Sequence, residues 1–131
     1  METTAKKLLI KAISIWQKTH ESLLEVEGEK IDRNNFIAPS TVYINEKIIM
    51  KHGIYQCPLC IEYHRDNDCS GCPIKEHTGY NHCDNTPYRT LTYYMIKTKP
   101  KTVTKKLIRI HQEMIDLMKK ILKDTLWKLY I

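Results

Sequence analysis

The chain carries a single phenylalanine, four glycines and five prolines, and no long apolar run. Nothing in it approaches the roughly 20 consecutive apolar residues that cross a bilayer, so no membrane span is expected. The first apolar run, Leu8-Leu9-Ile10, is broken at once by Lys11. It is too short for the core of a secretion signal, and a cytoplasmic protein is expected, in the host cell if the chain is viral. Catalytic signatures are missing too: there is no G-x-S-x-G, phosphate loop or dinucleotide fingerprint. The only His-x-Glu, His111-Gln112-Glu113, follows the cysteines instead of preceding a Pro-Cys-x-x-Cys pair. That excludes the zinc-deaminase arrangement. These absences point away from an enzyme.

What is present is ordinary in bulk and uneven in distribution. With 131 residues, 42% hydrophobic and 27% charged, the chain suits one globular domain spanning residues 1–131. Net charge is +6. Residues 1–98 balance; residues 99–131 carry nine Lys or Arg against Glu113, Asp116 and Asp124.

Hydrophobic periodicity predicts a mainly α protein. Over 3–27, Ala5, Leu8, Leu9, Ala12, Ile13, Trp16, Leu23 and Leu24 recur every three or four residues. Thr3 or Thr4 can cap this helix and Gly28 can stop it. Over 102–131, Leu107, Ile110, His111, Met114, Leu117, Met118, Ile121, Leu122, Leu126 and Leu129 repeat the pattern, with Thr102 or Thr104 as cap. The segment 40–53 reads as a short helix from Ser40 to Gly53, with a hairpin turning at Asn45-Glu46 as the alternative that its β-branched residues keep open. The expected architecture is two long terminal amphipathic helices packed together, with a turn-rich cysteine segment, 54–90, inserted between them. A segment that buries little apolar surface needs a staple.

The cysteines provide one. Cys57-Pro58-Leu59-Cys60 and Cys69-Ser70-Gly71-Cys72 are pairs with two residues between, and Cys83 follows. Such a pair forms a knuckle that aims both sulfurs at one centre, and two knuckles supply a tetrahedron of thiolates that suits zinc. Five cysteines in a reducing compartment also argue against a disulfide framework. Cysteine followed by proline, at Cys57-Pro58 and Cys72-Pro73, points instead to an iron–sulfur cluster, for which Cys83 would be a ligand. A metal on some four of Cys57, Cys60, Cys69, Cys72 and Cys83 is therefore expected. The neighbouring His52, His64, His77 and His82 read as surface or surrounding residues more readily than as ligands.

The residues Cys57-Pro-Leu-Cys60, Cys69-Ser-Gly-Cys-Pro-Ile74, Thr78-Gly79 and Cys83-Asp-Asn-Thr-Pro-Tyr88 together resemble a pattern found in small phage- and prophage-encoded proteins of unassigned function. The resemblance covers about residues 57–88. It implies a viral or mobile-element origin and a single unit containing all five cysteines; it implies no activity.

Lys105, Lys106, Arg109, Lys119, Lys120 and Lys123 decorate the last helix opposite its apolar stripe. They either stay solvated or contact nucleic-acid phosphates or an acidic protein surface. Six of the eight tyrosines fall between Tyr55 and Tyr94 and read first as a small core around the site. The function expected is a small non-enzymatic binding protein whose structural zinc site presents a surface to a host or viral macromolecule. The alternatives are an iron–sulfur or thiol redox protein, and a virion structural or assembly protein oligomerising through its terminal helices.

Overall fold

The computed structural model describes residues 3–32, 40–66 and 68–127. The first helix, α1, runs Thr4–Glu25, with the Thr3 hydroxyl accepting from the Lys6 amide at 3.2 Å as its cap. Ala5, Leu9, Ala12, Ile13, Trp16 and Leu23 are buried along one face, whereas Leu24, counted above with that face, is half exposed. Beyond the helix the backbone of 28–31 lies antiparallel to 101–103: the Gly28 and Ile31 amides donate to Val103 and Lys101 carbonyls, and the Val103 amide returns a bond to Glu29. This clasp joins two segments more than seventy residues apart before either enters its next element.

Residues 40–53 form a hairpin, not the helix expected. Strand β1, Thr41–Ile44, pairs antiparallel with β2, Lys47–Lys51. The reason is visible at the turn, where Asn45 and Glu46 both take left-handed backbone angles, φ +50° and +67°. Two-residue turns of that hand match the twist of paired strands. The Asp32 carboxylate holds the turn by accepting from both amides, at 3.3 and 2.9 Å. Val42 sits opposite Met50, both buried, so a strand face serves the core that a helical face was expected to serve.

The cysteine segment adds two short helices, α2 (Pro58–Tyr63) and α3 (Pro73–Thr78), and a single 3-10 turn at Asn81–Cys83. A longer helix follows that the sequence did not suggest: α4, Pro87–Thr98. Its Thr, Tyr and Ile content lowers intrinsic helix propensity, but Thr86 and Pro87 occupy the N-cap and first helical positions, where Pro is favoured. Side chains fasten it at both ends. The Ser40 hydroxyl donates to Tyr88 Oη and lies 3.3 Å from Thr92 Oγ1, and Tyr94 Oη is 2.7 Å from Thr104 Oγ1. The last helix, α5, spans Lys105–Asp124, capped by Thr104, which accepts from the Leu107 amide. The helix expected over 102–131 thus starts later and ends at Asp124, with Thr125 as its C-cap and 125–127 outside it; residues 128–131 lie outside the described residues.

The protein is mainly helical with a small sheet. Helix α5 packs against both α1 and α4, and α1 also touches α2, α3 and β2. One core runs through all of these: Leu59, Ile74 and Leu91 from the middle of the chain are as buried as Leu9 and Leu107 from the terminal helices. The cysteine segment thus buries apolar side chains of its own, more than its turn-rich sequence led us to expect.

Candidate metal centre

The two Cys-Pro dipeptides build matching local structures. Cys57 is the N-cap of α2 and Cys72 the N-cap of α3, each followed by proline in the first turn. Neither sulfur makes a side-chain cap hydrogen bond, but the first-turn amides beside each, of Leu59 and Cys60 at Cys57 and of Ile74 and Lys75 at Cys72, act to lower its thiol pKa. Orphan amides at a helix start thereby stabilise a thiolate. Proline has a purely local reason to be there, since it lacks the amide that would go unused at that position. The repeated unit is therefore Cys-Pro-x-x, at 57 and at 72, and Cys69 stands outside it.

Cys69 reaches Cys72 through a tight turn in which the Cys72 amide donates to the Cys69 carbonyl at 3.0 Å. Gly71 is required there: its φ is +90°, and a Cβ would lie 3.1 Å from the Tyr63 ring. On the far side, His82, Cys83 and Asn85 all adopt left-handed backbone angles (φ +59°, +55° and +59°). Non-glycine residues pay for that conformation, and such runs persist where side chains must be delivered to a point. The Arg89 guanidinium braces this strand of chain, donating to the His82 carbonyl at 3.0 Å and to the Asp84 carboxylate at 2.9 Å, and the Thr86 hydroxyl donates to the Cys83 carbonyl.

The thiols influence one another electrostatically. Cys57 is lowered to about 7, chiefly by a hydrogen bond from Cys60, against the opposing effect of burial. Cys60 is correspondingly raised, by that bond, by burial and by the charges of Cys57, Cys83 and Cys72. Burial pushes Cys72 up to about 11 and raises Cys83 too, with neighbouring thiols adding to both. Groups this crowded cannot all ionise unless a cation neutralises them, which is what a metal supplies.

Among the described residues, the set of donors close enough to share an ion joins Cys69 to two residues first read as surroundings. His64 Nε2, Cys69 Sγ and His82 Nδ1 all lie within 4.8 Å of one another. The two nitrogens are 3.2 Å apart, and the His82 amide donates to Cys69 Sγ at 3.4 Å. The Cys69 amide in turn donates to Asn81 Oδ1 at 3.0 Å. In the sequence His64 and His82 are eighteen residues apart with no motif spacing, so nothing short of the fold joins them. His77 is exposed on α3 and does not enter this set.

Beside these donors lies a cavity of about 340 Å³. Cys57, Cys60, Cys83, His64 and His82 line it, as do Trp16, Met114, Met118 and His52. His52 belongs to a second cluster that the sequence did not announce. Its ring stacks on Trp16 at 3.7 Å and its Nε2 is 2.9 Å from His111 Nε2, while His111 Nδ1 is 3.1 Å from His20 Nδ1. Burial lowers all three: His52 to about 3, His111 to about 2 with help from its two neighbours, and His20 less, because Asp116 opposes the shift. They are neutral imidazoles hydrogen-bonded in series. His111 occupies an apolar-stripe position of α5, the one hint the sequence contained.

The six basic residues of α5 are all exposed. Glu113 and Asp116 share their face and divide them into Lys105, Lys106 and Arg109 at one end and Lys119, Lys120 and Lys123 at the other. Lys106 lies over the Tyr94 ring, 5.4 Å from its centre. No described helix is long and apolar enough to cross a membrane. Set against known protein families, curated proteins and solved structures, the chain matches none of them.

Proposed function

We propose that this is a non-enzymatic binding protein in which a zinc ion on cysteine thiolates stiffens the surface that meets a macromolecular partner. The observation that carries the reading is the shared lining: Cys57, Cys60 and Cys83 face one cavity, and Cys60, Cys69, Cys72 and Cys83, with His64 and His82, face a smaller one. Four thiolates with amide donors around them suit a closed tetrahedral zinc site. The partner is an acidic surface or nucleic acid, contacted through Lys105, Lys106 and Arg109. Two of these stand in the first turn of α5, where no acidic residue complements the helix dipole. Positive charge there costs stability, and a bound anionic partner would offset that cost. The phage-like motif fits a viral or mobile-element protein of this kind.

A second reading, an iron–sulfur or thiol redox protein, draws on the hydrogen-bonded Cys57–Cys60 pair facing the cavity. Elemental analysis and a visible spectrum of freshly purified protein separate the two. Zinc in a colourless sample supports the first; iron with absorption around 400 nm supports the second and overturns the first. Retention of nucleic acid that falls steeply with salt would identify the partner class; salt-insensitive or absent retention would indicate protein.

A further inference from the structure

Between Asp84 and Glu113 the chain holds seven Lys or Arg and no carboxylate. That stretch is α4, the turn after it and the first turns of α5, and the two helices pack together, so the charge is gathered on one part of the fold. Arg89 is already committed, to the His82 carbonyl and to Asp84. Lys97, Lys101, Lys105, Lys106 and Arg109 are exposed, and among the described residues none of them pairs with a carboxylate. A surface of one sign without counter-charge repels itself, and a polyanion relieves that repulsion.

Tyrosines are interleaved with these cations. Lys97 Nζ lies 5.9 Å from the centre of the Tyr93 ring, and Lys106 Nζ 5.4 Å from that of Tyr94. The Tyr94 hydroxyl meets Thr104, which brings the first turn of α5, and Lys106 with it, alongside α4. Tyr93 is 55% exposed and Ile96, three residues on, is 49% exposed, so α4 turns apolar surface outward among the lysines. A cation over one face of a ring leaves the other face for a planar partner.

The occupant that matches both features is a nucleic-acid strand with unpaired bases. Its phosphates meet the lysines, and a base covers the tyrosine. A duplex keeps its base faces inside the stack, and α4 has no Asn or Gln to read base edges from a groove. An acidic protein segment would satisfy the lysines and leave the ring between them unused. We propose that the α4–α5 face binds single-stranded nucleic acid, with Tyr93 stacking on a base and Lys97, Lys101, Lys105 and Lys106 lying along the phosphates. This rests on the partner reading given above: it selects one of the two partner classes named there and extends the contact surface from α5 onto α4.

The test is fluorescence anisotropy with labelled single strands and duplexes of about 16 nucleotides, and with a labelled polyglutamate peptide, across a salt series. Zinc is measured on the same protein sample. Single strands are expected to bind more tightly than duplexes or polyglutamate, and less tightly as salt rises. Tyr93→Ala should weaken single-strand binding about five- to a hundredfold, and Tyr93→Phe, which keeps the ring, by less than about twofold. Lys101→Gln combined with Lys105→Gln should flatten the slope of log affinity against log salt by about 0.7 for each charge removed. All three positions are exposed, and an unchanged thermal midpoint shows that each variant is folded. Duplex or polyglutamate bound as tightly as single strands, no binding of any probe, or full binding by Tyr93→Ala overturns the inference. Zinc-loaded protein that binds no single strand overturns this inference and leaves the metal reading standing. Zinc-free protein that binds single strands, with loss in Tyr93→Ala, upholds the inference and overturns the metal reading.

Discussion

Two groups of histidines border one cavity, the first through His64 and His82 and the second through His52, and the contrast between them is instructive. Near the cysteines, His64 and His82 each turn one nitrogen toward a common point that Cys69 also approaches. Between the helices, His111 spends its two nitrogens on two different partners, His52 and His20, under the Trp16 ring. The first arrangement converges and can hold an ion. The second is a chain: a neutral His111 has one N–H and one lone pair, so it donates to one neighbour and accepts from the other. Proximity of imidazoles alone therefore does not define a metal site; convergence of lone pairs does.

The largest way to break this contrast is to remove the metal. Chelation, or Cys72→Ser, should cost more than about 4 kcal/mol by leaving crowded thiols without a counter-charge, seen as a drop in thermal midpoint and loss of amide protection over residues 57–86. A metal-free protein with an unchanged midpoint would refute the structural role. In the helical cluster, His111→Ala should cost roughly 2–4 kcal/mol, because it leaves a buried void and strands nitrogens of His20 and His52. Denaturant unfolding checks this, and His111→Ala should leave metal content unchanged.

Acid offers a finer probe. His52 and His111 bind protons less readily folded than unfolded, with values near 3 and 2 against an ordinary 6.5. Their contribution is therefore complete above about pH 6.5 and is lost as pH falls from there toward 3, by up to about 1.4 kcal/mol per pH unit for each histidine. Stability measured by denaturant between pH 7 and 4 should fall in the natural chain and fall less steeply in His111→Leu. Equal slopes would show that the buried chain does not govern acid sensitivity. The smallest effect belongs to a site away from both clusters. Thr104→Ala removes the α5 cap and the Tyr94 contact and should cost about 1–2 kcal/mol with no change in metal content or acid slope.

Much of the helical frame was legible in the sequence. The stripes of α1 and α5 are set by spacing, and the caps were narrowed by residue type to Thr3 or Thr4 and to Thr102 or Thr104, because both depend only on neighbours three or four positions away. The cysteine pairs likewise marked the segment in which Cys69, His64 and His82 come close enough to hold an ion. The hairpin was legible only as the alternative to a helix, because the turn at Asn45-Glu46 is secured by Asp32 from outside the segment. Helix α4 was not, because its weak propensity is made good by tyrosine and serine bonds to distant residues.

The sequence by itself determined that thiols would cluster in the middle of a mainly helical, unevenly basic chain, since composition, periodicity and short spacing are local properties. Only the tertiary structure decided which donors belong together. It placed Cys69 beside His64 and His82, and strung His20, His111 and His52 along the helix interface. Those groupings depend on backbone hand at His82 and Cys83 and on how α1, β2 and α5 pack, and no local spacing encodes them.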